Sequence, residues 1–187
     1  VRTATGVVGI TGCCMLIVCA FGMLDSLNYF VKLQFRDLYN FDYKLTLKED
    51  ISKEDLENLK SKYGNNTSKS NLIEIKDSKE NKKSNNIFIT DTNDKIRFVD
   101  NKKNFIKLSQ KDGVYITYKL AQNEGYKLGD TITWHLVGNN KYYKSKIIGF
   151  NRDPQNQNMT ITRKYYEKLG NTYQPDSLYT NKNLKNT

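Results

Sequence analysis

An uncharged run from 4 to 24, ATGVVGITGCCMLIVCAFGML, constrains this chain more than any other feature. About 20 apolar residues in a helix cross the hydrocarbon core of a bilayer, and the run has that length. An amphipathic helix of a small soluble domain would carry a polar face; this run has none. It predicts a membrane-spanning helix, weighed against a helix buried in a soluble core. Gly6, Gly9 and Gly12, with Thr5 and Thr11, concentrate small side chains in its first half. Small residues let membrane helices approach closely, and hydroxyls can bond between them. Gly6, Gly9 and Gly12 are therefore the candidate helix-packing residues. Arg2 flanks the run on one side and Asp25 on the other. Positive flanks favour the cytoplasm, so the N-terminus is expected inside and everything past Asp25 outside.

Two targeting signals compete with this anchor. Ile10-Thr11-Gly12-Cys13 is similar to a lipoprotein cleavage box, and Val18-Cys19-Ala20 to a small-residue cleavage site. A removed signal has a short apolar core that ends where it is cut. Here the apolar run continues well beyond Cys13, so a retained anchor is expected. The chain starts at Val1 in place of Met and is expected to be a fragment.

Of the 187 residues, about 150 remain past the helix and its flank, enough for one domain with a core of its own. The net charge is +10, and the excess is steepest from 141 to 187, with nine Lys or Arg against three Asp or Glu. Such a surface can attract anionic polymers or lipid headgroups, or can be no more than a solvated Lys-rich exterior. Charge together with 13 tyrosines would suggest nucleic acid in a soluble protein; an anchored domain outside the membrane argues against it. Membrane lipid is expected as a partner, and nucleic acid is not. Cys13, Cys14 and Cys19 all fall inside the apolar run, so the domain has no thiol for a disulfide or metal site. A disulfide-free, Asn- and Lys-rich exported domain is compatible with a Gram-positive bacterium.

Leu24, Leu27, Val31 and Leu38 keep helical spacing past the apolar run, with Asp25, Asn28, Lys32 and Arg36 on a polar side. One helix is expected to rise out of the bilayer as a stalk to 37, giving a division at 1–37 and 38–187. Residues 42–48 alternate as a strand, and Ser52 with Asp55 caps a helix that Gly64 closes. Residues 65–70 read as a turn and 71–75 as a strand. The charged stretch 76–86 reads as a loop. Residues 87–90, 96–99 and 105–108 read as a small antiparallel sheet, so 76–107 is expected to be an inserted β unit. Strand 112–116 leads into a helix ending near Gly125. Strand 131–137 turns at 138–140 into strand 141–150. Strand 159–161 meets a helix capped by Thr162 and ending at Gly170. A last strand at 177–180 precedes a polar tail. The fold class is α+β, a mixed and mostly antiparallel domain with short helices on the end of a membrane helix and stalk.

Catalytic patterns are sparse. His135 is the sole histidine, mid-strand beside Trp134, which rules out a His–His metal pair; no nucleophile partner for it is evident. Gly6, Gly9 and Gly12 lack the lysine and spacing of a phosphate loop, and Asp91 and Asp94 read as turn residues. No catalytic residue, metal site or cofactor is expected, and the chain is not expected to be an enzyme.

The order of these elements resembles a known family. RTATGVVGITGCCMLIVCAFGMLDSL, followed directly by an α+β domain, is similar to the first membrane helix of FtsX/MacB-type ABC transporter permeases. DGVYITYKLAQNEGYKLGDTITWHL, from 112 to 136, resembles that family's strand, helix, Gly-Asp and strand segment. It precedes a strand carrying Ile147-Ile148-Gly149, and the 159–166 strand and helix also fit. Together these cover most of the chain; 76–107 is the least familiar part. The resemblance implies a MacB-like core domain outside the cell membrane, three further membrane helices, a cytoplasmic ATPase subunit, and a second permease copy or homologue forming a dimer. It implies a domain that relays ATP-driven motion, in export, extraction or mechanotransmission, and transfers no catalytic residues. The alternative is a single-span, membrane-anchored cell-surface binding protein with no transporter.

Overall fold

The computed structural model describes residues 2–76, 81–92, 94–102, 104–153 and 158–183. Its first element, α1, is a helix over Arg2–Lys32, long and apolar enough to cross a membrane. It runs on without a break into a π-helical turn, Leu33–Leu38, which realises the stalk expected to 37. Among the described residues nothing covers its apolar face: Val8 is 71% exposed and Leu16 72%. That excludes the alternative of a helix packed in this chain's own core.

Past the stalk the elements are β1 (Tyr43–Thr46), α2 (Lys53–Tyr63), β2 (Thr67–Lys76), β3 (Lys82–Thr90), β4 (Phe98–Val99), β5 (Phe105–Ile106), β6 (Val114–Thr117), α3 (Tyr118–Glu124), β7 (Thr131–Leu136), β8 (Tyr142–Asn151), β9 (Asn158–Thr162), α4 (Arg163–Lys168) and β10 (Ser177–Thr180). The domain is α+β with a mixed sheet, as expected. The helices begin where short hydroxyl side chains meet orphan N–H groups. Ser52, Thr117 and Thr162 accept from the amides of Asp55, Leu120 and Tyr165. Gly125, in the left-handed region, ends α3.

The sheet closes on itself. Eight strands form one sheet, of which β1 and β10 are a wing; β2, β3, β9, β6, β8 and β7 follow one another, and β7 pairs back onto β2. Residues Ile73 to Lys76 bond to β3 on one side and to β7 on the other, Ile75 standing against Lys83 and Trp134. Of these pairings β3–β9 and β6–β8 are parallel and the others antiparallel. Side chains alternate across a strand, so every second residue fills the barrel: Ile73 and Ile75, Ile87 and Ile89, Val114 and Ile116, Ile132 and Trp134, Met159 and Ile161. Closure removes the open edges that such strands would otherwise present.

The stretch expected to be one small sheet divides. Residues 87–90 are part of β3, an inner strand of the barrel, and only β4 and β5 pair with each other apart from it. Of the charged segment 76–86, residues 77–80 lie outside the described residues, while Lys76 ends β2 and 82–86 are strand. These polar residues extend because the main chain of β2 pairs with them from Lys76↔Lys82 to Ser68↔Thr90. Hydrophobic periodicity reports burial and is silent about such backbone pairing. The tail from 184 also lies outside the described residues.

Gly149 in β8 is set by contact. A Cβ there would lie 2.5 Å from the Tyr115 ring, whose hydroxyl accepts the Ser109 N–H at 3.0 Å. Gly149→Ala is expected to lower domain stability by about 1–3 kcal/mol, the usual cost of overpacking a close contact. Thermal unfolding checks it.

Candidate functional site

The functional interest of this chain lies where the helix meets the barrel, and two adjacent residues of β4 make that joint. Neighbouring residues of a strand face opposite ways. Phe98 packs with Leu108 and Tyr115 on the outside of the barrel wall, among Phe88, Ile96, Ile106 and Ile148. Val99 packs against Leu33 and Leu38 of the π-helical turn, with Tyr39 alongside. Both are nearly inaccessible, Phe98 at 5% and Val99 at 1%. One dipeptide thus ties stalk to barrel.

Main-chain bonds lock the same joint. The chain leaving the stalk lies antiparallel to the residues entering β4: Tyr39 bridges Ile96, Asn40 N–H donates to the Lys95 carbonyl at 2.7 Å, and Arg97 N–H donates to that of Leu38 at 2.8 Å. Further along β4, Arg152 N–H donates to the Val99 carbonyl at 2.8 Å, and its guanidinium stands 5.9 Å from the centre of the Tyr29 ring. The helix is held at Tyr29, Leu33 and Leu38 together.

Inside the joint sits Gln34, fully buried, whose carboxamide oxygen and nitrogen have no hydrogen-bond partner among the described residues. Its main-chain carbonyl accepts the Tyr39 N–H at 3.1 Å, the five-residue closure of a π turn. An unpaired buried carboxamide costs about 1–3 kcal/mol. Gln34→Leu, close in volume, is expected to raise stability by about that amount, read as a higher unfolding midpoint. A fall would contradict the burial described.

Beside the joint lies a cleft of about 300 Å³ lined by Tyr39, Lys44, Asn86, Phe88, Asn158 and Tyr179, among others. Asn158 Oδ1 is buried there without a partner among the described residues. It is at the small end of ligand-sized cavities.

The candidate packing glycines lie elsewhere. Gly6, Gly9 and Gly12 are exposed on α1, and nothing stands within 4 Å of a Cβ built on any of them. No part of the described chain fills that surface. The Thr11 hydroxyl donates to the Val7 carbonyl of its own helix at 2.8 Å, so it is engaged within the helix. Cys13, Cys14 and Cys19 are free and exposed on α1.

His135 is held in the seam that closes the barrel. Its Nε2 lies 2.9 Å from a Glu74 carboxylate oxygen, and its Nδ1 2.8 Å from the Asn139 carbonyl. The hydrogen bond from His135, and then Lys82 at 3.4 Å, hold the Glu74 carboxyl below its ordinary range. Among the described residues no cluster of three or more His, Cys, Asp or Glu could hold a metal ion.

Sequence reasoning found the stalk and missed the joint. Val99 sits in a turn-rich stretch, and Gln34 is a polar residue at apolar spacing, seven, three and four positions from Leu27, Val31 and Leu38. Two signals were available, that spacing and the apolar pair Phe98-Val99 in a polar neighbourhood. A scan against protein-family models and searches of curated proteins and of solved structures returned no match.

Proposed function

We propose that this chain is the first membrane helix and the outer domain of an ABC transporter permease of the FtsX/MacB type, relaying ATP-driven motion to a substrate or partner beyond the membrane. The observation that carries this reading is the unbroken path from α1 through the π-helical turn to β4 and the barrel wall. A stiff element packed at both ends passes a displacement on, where a flexible linker would absorb it. In this reading α1 crosses the cell membrane with the domain outside, as in a Gram-positive cell. The uncovered Gly6, Gly9 and Gly12 face is where other membrane helices, including those of a second permease copy, pack. The energy comes from a cytoplasmic ATPase subunit, and the barrel acts mechanically, with no catalysis of its own.

The cleft of about 300 Å³ favours the second reading, a single-span surface protein that binds a ligand beside its stalk. Purification of the full-length protein from its host in mild detergent, with an ATPase assay, separates the two. A stoichiometric ATP-hydrolysing partner supports the permease. A lone protein without a nucleotide-dependent partner supports the binding protein and overturns the permease.

A further inference from the structure

The hairpin of β4 and β5 has a direction. Because residues 95–97 run antiparallel to 38–40, the chain through β4 descends beside the stalk, from the level of Leu38 towards that of Leu33. The turn beyond Val99, with Asn101 and Lys102 exposed, therefore points back along the helix towards its apolar end. Arg152, bonded to Val99, reaches lower still, to Tyr29.

These levels fall at a membrane surface. Asp25 is the first charge after the apolar run, and Tyr29 stands four residues on, about 6 Å at 1.5 Å per helical residue. The headgroup layer on each side of a bilayer is roughly 5–8 Å deep, and tyrosine is a residue enriched there. Arg152 over Tyr29 is thus at phosphate height, with Lys32 exposed on the next turn and Lys102 on the descending loop. Asp100 stays ionised and offsets one of these charges, its carboxyl held below the ordinary range by the Asn104 side chain and the loop's own N–H groups. It accepts the N–H groups of Lys102 at 2.7 Å and Asn104 at 2.9 Å, and the Asn104 side chain at 3.0 Å. Asp25 and Asp37 are the opposing charges on the helix itself.

We propose that Lys102 and Arg152, with Lys32 beside them, form a foot that rests on the phosphates of anionic phospholipids in the leaflet next to the domain. The foot fixes the height and tilt of the barrel on its stalk, and it makes that posture depend on lipid charge. It rests on α1 crossing the bilayer and is independent of which side the domain occupies.

The test uses the full-length protein in nanodiscs of phosphatidylcholine alone or with phosphatidylglycerol, and measures amide hydrogen exchange over the β4–β5 hairpin. Each cation at an anionic surface is worth about fivefold, so two give roughly 30-fold slower exchange in the phosphatidylglycerol discs. High salt is expected to reverse it, and barrel peptides are expected not to change. Lys102→Gln should remove about fivefold, and because that side chain lies outside the joint the variant leaves the fold intact; Arg152→Gln should remove a similar share. Equal exchange in both discs, or slowing that survives both substitutions, overturns the foot. Slowing that needs two copies per disc, whatever the lipid, overturns it too and assigns the surface to a second copy. Extraction of the protein from membranes by alkaline carbonate would overturn the spanning helix and the foot together. Retention with unchanged exchange overturns the foot alone.

Discussion

Trp134→Ala is expected to destabilise the barrel by about 3–5 kcal/mol, the usual cost of removing a fully buried tryptophan. Trp134 is completely inaccessible, with its ring centre 4.7 Å from that of Tyr143 and its indole N–H donating to the Ser145 hydroxyl at 3.0 Å. Tyr165 shares that hydroxyl from α4 at 3.3 Å. Tryptophan therefore fills the barrel and also positions a helix against its end. Domains hold only about 5–15 kcal/mol in total, so the variant should lose about 10 °C or more of unfolding midpoint at roughly 2–4 °C per kcal/mol. Trp134→Phe keeps most of the volume and gives up one hydrogen bond, a loss nearer 1 kcal/mol. Comparable melting of the two variants would contradict the interior described.

Val99→Asn should have the largest effect on coupling. It removes a buried valine and places a carboxamide against Leu33 and Leu38. Together that costs roughly 3–5 kcal/mol, but only at the joint. Val99 is not part of the barrel's hydrophobic core, so the barrel should unfold at nearly its original temperature while the stalk detaches from it. In the proposed permease, ATP hydrolysis would then proceed without movement of the barrel. The readout is a broadened distance distribution between spin labels on Leu27 and Leu128, both exposed, alongside an unchanged barrel midpoint. A sharp, unchanged distribution would show that β4 is not the bridge.

The parts legible in the sequence were those set by neighbours in the chain. The uniform apolarity of 4–24 announces α1, and Ser52 and Thr162, three positions before the amides they cap, mark the starts of α2 and α4. Barrel closure is different in kind. It depends on β2 bonding to β3 and β7 at once across residues 73–76, while the alternation that marks β2 would suit an open sheet equally well. The extent of β3 was hidden because Lys82 to Asn86 are polar and are extended by main-chain pairing. The joint was least visible. Its strand is two residues long, its buried glutamine is a polar residue on the apolar side of the stalk helix, and Arg152 is far from Tyr29 in the chain.

Electron paramagnetic distances between the two copies of a purified permease dimer, labelled at Leu128 on the barrel after replacement of Cys13, Cys14 and Cys19, show whether ATP-driven motion reaches the barrel. One distance is expected without nucleotide and a second, displaced by several ångström, when the ATPase subunit is trapped with ATP; the Leu27 to Leu128 distance inside each copy should stay fixed. A barrel-to-barrel distance indifferent to nucleotide, in an assembly that hydrolyses ATP, would contradict the proposed relay.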